Sequence, residues 1–149
     1  MFVNAGAAND PNETIGAVST EEFNRVMMTN ALSPMRLVER FANLVPSRGV
    51  IAVMSSELGS VANNDSGGWE VYRASKAALN TLMRSFAVRS GEMRALLAIC
   101  PGWVRTDMGT SSALFDVETS IRGVLNMIEA RTGTSGLVYA NYENKMVSW

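Results

Sequence analysis

Tyr72 and Lys76 stand four residues apart in Tyr72-Arg73-Ala74-Ser75-Lys76. They fall in a stretch, Trp69 to Ser90, whose pattern predicts a helix ending near Gly91. Four residues is about one helical turn, so both side chains project from one face. A free phenol titrates near ~10 and a free lysine near ~10.4, and a nearby ammonium favours the phenolate. The spacing therefore predicts a tyrosine whose pKa Lys76 lowers, able to give or take a proton at working pH. An ordinary amphipathic neighbour pair has the same spacing.

The elements around the pair sharpen the reading. Ser55-Ser56-Glu57-Leu58-Gly59 ends the apolar run Val50 to Met54, a continuous run of the kind that suits a parallel strand covered on both faces. A hydroxyl at such a strand end is well placed for a ligand, though it also serves to satisfy backbone groups where the strand stops. Met1 to Asn4, Arg94 to Cys100 and Gly136 to Ala140 read as three further strands. Ser19 with Glu22 reads as a capping box opening a helix that runs to Val45, stops at Pro46 and is kinked by Pro34. Asp116 caps a helix from Val117 to about Arg131. Alternating strands and helices imply right-handed crossovers and a parallel α/β sheet with helices on both faces.

Composition narrows the chemistry. The chain has 149 residues, 47% apolar and 18% charged, with net charge −1. Nothing in that balance points to nucleic acid or an anionic membrane as partner. It has no histidine, which removes Ser-His-Asp and Cys-His catalysis and histidine-ligated zinc; no metal is expected. One cysteine, no apolar run of spanning length and no secretory pattern point to the cytoplasm. Cys100 reads as a buried core thiol and the ten methionines as core fillers.

Asn4-Ala5-Gly6 after the first strand, Asn30 in the next helix, Ser56, the Tyr72–Lys76 pair and Pro101-Gly102-Trp103-Val104-Arg105-Thr106 occur in an order that resembles the short-chain dehydrogenase/reductase family, from residue 1 to Trp149. The resemblance implies a truncated Rossmann-like sheet of about four strands, order 4-5-6-7 of the family, in one partial domain over 1–149. It implies an oxidoreductase using NAD or NADP on a small carbonyl or alcohol substrate. Tyr72 would be the acid/base, Ser56 the group that hydrogen-bonds the carbonyl, and Lys76 the partner of Tyr72 and of the nicotinamide ribose. Asn30 would hold a water in a proton relay; by itself it also fits a polar residue bonding local backbone near Pro34. Asn4, Ala5 and Gly6 would let backbone approach the cofactor, with Asn4 bracing the sheet. Pro101, Gly102, Val104 and Thr106 would face the nicotinamide, and Asp107 to Phe115 would form a mobile lid. The sixteen residues from Ser56 to Tyr72 are a few more than in many members, and the loop Asn63 to Gly68 accounts for the excess.

The family's glycine-rich turn has no counterpart, because no Gly-x-x-x-Gly-x-Gly occurs in the 149 residues. The expectation is a catalytic portion without its pyrophosphate site, inactive or incomplete alone and weak in dinucleotide binding. It should dimerise or assemble further through helices 19–45 and 69–91, with the apolar edge strand 1–5 as a second contact. Three readings follow: a reductase once a cofactor half is supplied, a non-catalytic binding or dimerisation module derived from one, or an unrelated α/β protein.

Overall fold

The computed structural model describes residues 1–90 and 94–149. Among the described residues, four strands, β1 (Phe2–Val3), β2 (Val50–Met54), β3 (Ala95–Cys100) and β4 (Gly136–Asn141), form one sheet in the order β1-β2-β3-β4. Every pair is parallel, with Val3 opposite Val53, Val53 opposite Ala98 and Ala98 opposite Tyr139. This is the expected truncated Rossmann-like sheet. The continuous apolar runs are explained by burial on both faces: Ile51, Val53, Leu96, Ala98 and Tyr139 pack on one side, Val50, Ala52, Leu97, Ile99 and Ala140 on the other. Each fully buried Leu, Ile or Val contributes about 1.5–3 kcal/mol.

The helix expected over 19–45 is segmented. α1 (Thr20–Met27) passes into a π-helical turn at Met28–Leu32, then α2 (Ser33–Phe41) and a short 3-10 turn at Ala42–Leu44. Pro34 lacks an N–H and its ring clashes with the carbonyl one turn back, so the chain widens there instead of bending sharply. Half of the capping box forms: Ser19 Oγ accepts the Glu22 amide at 3.1 Å, whereas the Glu22 carboxylate pairs with Arg25. α3 (Glu70–Ser90) starts one residue later than expected, because Trp69 is left-handed at φ 52°. Its expected end at Gly91 lies outside the described residues. α4 (Val117–Arg131) has the expected bounds, with Asp116 accepting the Thr119 amide at 2.7 Å.

One expectation fails in the topology. Met35 and Val38 of α2 and Leu79 and Met83 of α3 lie on the first face of the sheet, whereas Val124 and Met127 of α4 lie on the second. All three crossovers advance in the same direction, so the third has the opposite hand to the first two. Its connection from Pro101 to Asp116 is long enough to carry the chain round the end of the sheet. The methionines are also mixed: Met35, Met83 and Met127 are buried, while Met28, Met108 and Met146 are exposed.

Candidate active site

Parallel strands all end at one edge, so the segments after β1, β2 and β3 gather there. β2 delivers Ser55 and Ser56 to that edge. Ser55 is buried and its hydroxyl donates to Asn80 Oδ1 at 2.7 Å, so it is a structural group. Ser56 is half-buried and caps the one-turn helix Glu57–Gly59, its Oγ accepting the Leu58 amide at 3.2 Å.

α3 lays Tyr72 and Lys76 against this strand end. Tyr72 is buried, with Trp69 packed edge-on at 5.8 Å between ring centres. Burial pushes its phenol above the ordinary value, and the Ser56 side chain pulls it only part of the way back. The lowering expected from Lys76 is therefore replaced by a rise. Lys76 Nζ lies 5.6 Å from the Tyr72 ring centre and donates to the Met54 carbonyl at 2.8 Å. Lys76 is itself only 2% exposed, and burial drops its ammonium from 10.5 to about 8. Cys100, at the end of β3, is buried as expected, and desolvation pushes its thiol up to about 12.

Asn30 sits fully buried in the π-helical turn. Its Oδ1 accepts the Ala7 amide and its Nδ2 donates to the Ala7 carbonyl, both at 2.7 Å. Nδ2 also reaches Ser75 Oγ at 2.9 Å, and Ser75 donates to the Tyr72 carbonyl at 2.7 Å. Asn30 thus ties the loop after β1 to α3, and its partners are distant in sequence and not the backbone near Pro34. A Cβ added to Gly6 would come 3.6 Å from Lys76 Nζ and 3.8 Å from Asn30 Oδ1, so Gly6, Asn30 and Lys76 converge. Asn4, Ala5 and Gly6 are exposed, and no bracing hydrogen bond from Asn4 occurs among the described residues.

The loop after β3 is internally bonded. The Pro101 carbonyl accepts Ser120 Oγ at 2.7 Å. Gly102 adopts φ 81°, where a Cβ would press on Phe115 and Tyr142 at 3.1–3.2 Å. Val104 bridges to Phe115, and Thr106 Oγ1 accepts the Gly109 amide at 3.1 Å. Serine, phenol, ammonium and Asn30 are thus brought into one cluster, whereas Val104 and Thr106 make their contacts within their own loop. Three participants escaped the sequence reading: Ser75, Asn80 and Tyr139. Asn80 had a signal, being four residues beyond Lys76 on the face that carries Tyr72.

The match to known proteins runs through the whole cluster. Residues 1–132 match the family model described as enoyl-(acyl carrier protein) reductase. A short-chain dehydrogenase/reductase from Burkholderia multivorans with bound NADP is 51% identical, with TM-score 0.96, and covers 99% of this chain. A carbonyl reductase from Pseudomonas aeruginosa PAO1 in complex with NADP is 36% identical, with TM-score 0.90 over 100% of the chain. This chain belongs to the short-chain dehydrogenase/reductase family. It spans 65% of the length of each of those two structures. The C-signal of Myxococcus xanthus is 33% identical over 140 residues, 91% of this chain and 83% of that protein. The 1-hydroxy-2-glutathionyl-2-methyl-3-butene dehydrogenase of Rhodococcus sp. (strain AD45) is 31% identical over 97 residues, 64% of this chain and 43% of that protein.

Proposed function

We propose that residues 1–149 are part of one Rossmann-like domain and hold the proton-transfer residues of an NADP-dependent cytoplasmic carbonyl reductase. Turnover then needs a glycine-rich segment that these 149 residues do not contain. The carrying observation is the buried Lys76 ammonium, anchored to the Met54 carbonyl at the end of β2 beside the buried Tyr72 ring. The residues fit the nicotinamide end of the dinucleotide: Gly6 leaves a cradle that a Cβ would fill, and Lys76 has donors beyond the one on Met54. When bound, the dinucleotide would supply the hydride, one hydrogen with its two electrons, that reduces the carbonyl carbon. Ser56 Oγ hydrogen-bonds the carbonyl oxygen and fixes its direction. Tyr72, protonated at neutral pH like any phenol, with burial disfavouring its phenolate further, donates its proton to that oxygen. Lys76 stabilises the phenolate left behind. Asn30 holds the Ala7 backbone and, through Ser75, the start of α3.

The test joins this chain to the N-terminal part of the Burkholderia multivorans reductase that lies outside the match. The chimera should reduce a small aromatic aldehyde with NADPH, and Tyr72→Phe should lower kcat by roughly 10²–10⁴-fold, the range for a positioned general acid. A Tyr72→Phe chimera as active as its parent overturns the reading. A second reading, a non-catalytic binding module, draws on the likeness to the C-signal, a protein named for signalling, over 91% of this chain. A chimera that binds NADPH and reduces nothing supports it. In either reading we place a homodimer contact on α2 and α3, where Leu37, Phe41, Leu82 and Val88 are exposed. Light scattering should give a dimer at micromolar concentration; a monomer refutes that contact.

A further inference from the structure

Ser56 is held by three hydrogen bonds, and one of them comes from far away. Its Oγ takes the Leu58 amide and its carbonyl takes the Gly59 amide at 2.9 Å, both within its own turn. The same carbonyl accepts the Tyr139 hydroxyl at 2.6 Å, across 83 residues of sequence. Tyr139 rises from the middle of β4 with its ring fully buried. The chain after β4 folds back over it. The Val147 amide donates to the Tyr139 carbonyl at 2.9 Å, and the Trp149 indole packs at a tilt of 42° against the Tyr139 ring, 5.0 Å between centres. Trp149 is tied in turn: its carbonyl accepts the Ala62 amide at 3.1 Å, and Arg84 of α3 lies 5.9 Å from its ring. One strap therefore touches the loop that follows Ser56, the helix that carries Tyr72, and the tyrosine that grips Ser56.

We propose that Tyr139 is a positioning residue for Ser56, and that Trp149 clamps Tyr139 so that Ser56 keeps its place at the end of β2, where its hydroxyl acts together with Tyr72. This rests on the pairing of Ser56 with Tyr72 in the proposed function. A backbone carbonyl that has lost the Tyr139 bond keeps the one from Gly59, so the turn survives while its tilt is freed. A small tilt at Ser56 moves a hydroxyl that must meet both the carbonyl oxygen and the phenol, and misplacements of about 1 Å cost rates of order 10²-fold.

The test reads the Tyr72 pKa in the 149-residue chain by alkaline titration of ¹³C-labelled tyrosine, with the Tyr72 signal assigned by its loss in Tyr72→Phe. Tyr139→Phe and Ser56→Ala should both raise the Tyr72 pKa, because each withdraws the Ser56 hydroxyl that lowers it. Trp149→Ala should do the same, and Trp149→Phe, which keeps a ring, should titrate like the parent. In the chimera, Tyr139→Phe should lower kcat roughly tenfold. A Tyr139→Phe chain that titrates like the parent while Ser56→Ala shifts overturns the positioning role alone. A Ser56→Ala chain with an unmoved Tyr72 overturns the Ser56–Tyr72 pairing and the positioning role with it. Should Trp149→Ala unfold by circular dichroism, Tyr139→Phe, which removes a single oxygen, still decides the matter.

Discussion

Lys76→Met should make the chain more stable at neutral pH. Lys76 is 2% exposed and its ammonium is lowered from 10.5 to about 8 by burial. At ~1.36 kcal/mol per pH unit, holding it charged inside costs roughly 3 kcal/mol. Methionine matches the length of the aliphatic stem and carries no charge, but it forfeits the hydrogen bond to the Met54 carbonyl, worth about 1 kcal/mol. The net gain at pH 7 is thus about 2 kcal/mol. Its pH dependence has a defined sign. Below pH 8 the lysine is protonated in both folded and unfolded chains, and the folded state bears the whole cost. Between about 8 and 10.5 the unfolded chain binds more protons, so the parent gains stability as pH rises. Above that window the cost is gone and the lost hydrogen bond leaves the variant slightly weaker. Urea unfolding of both proteins at pH 7 and pH 10.5, compared by difference, measures this directly. A variant less stable than its parent at pH 7, or a difference that does not change with pH, refutes the account of Lys76 as a costly buried charge.

Asn30→Ala should destabilise the chain by about 2 kcal/mol in urea unfolding, since it strips both partners from the half-buried Ala7 peptide at once; a change below ~0.5 kcal/mol counts against the clamp. Gly59→Ala should cost about 1–3 kcal/mol by overpacking, because its Cβ would sit 2.9 Å from Lys76 Cβ and 3.0 Å from the Lys76 carbonyl carbon; an unchanged urea midpoint would show that the turn yields freely.

The parts of this protein that a reader of the sequence can see are those with a local cause. β2 and β3 announce themselves because burial on both faces demands unbroken apolar runs, and α4 because Asp116 must accept an amide at its start. The edge location of Ser56 follows from the strand that ends beside it. What stays hidden depends on distant partners. Pro34 signals an irregularity, but nothing near it in sequence announces that the π-helical turn it produces holds Asn30 inward against Ala7, 23 residues away. The hand of the third crossover depends on which face α4 covers, and its amphipathic pattern is the same for either. Tyr139 is one aromatic in an apolar strand, and its grip on Ser56 bridges 83 residues.

The sign of the Tyr72 shift is the most instructive of these hidden features. Helical spacing fixes that Tyr72 and Lys76 share a face, and from that alone a lowered phenol follows. Sharing a face does not fix where the ammonium points. Lys76 turns to the carbonyl at the end of β2, and the burial that this requires acts on both groups in opposite directions, raising the phenol and lowering the amine. At pH 7 the result is a neutral phenol beside an amine that, with a pKa of about 8, is still mostly protonated. A phenolate in that setting is poorly solvated until charge develops on it, and the ammonium then meets it at short range in a medium with little water to screen the pair. An interaction that grows as the proton leaves lowers the barrier more than one already present in the resting state. Burial therefore costs the fold stability at Lys76 while it places the pair's attraction where proton transfer can use it.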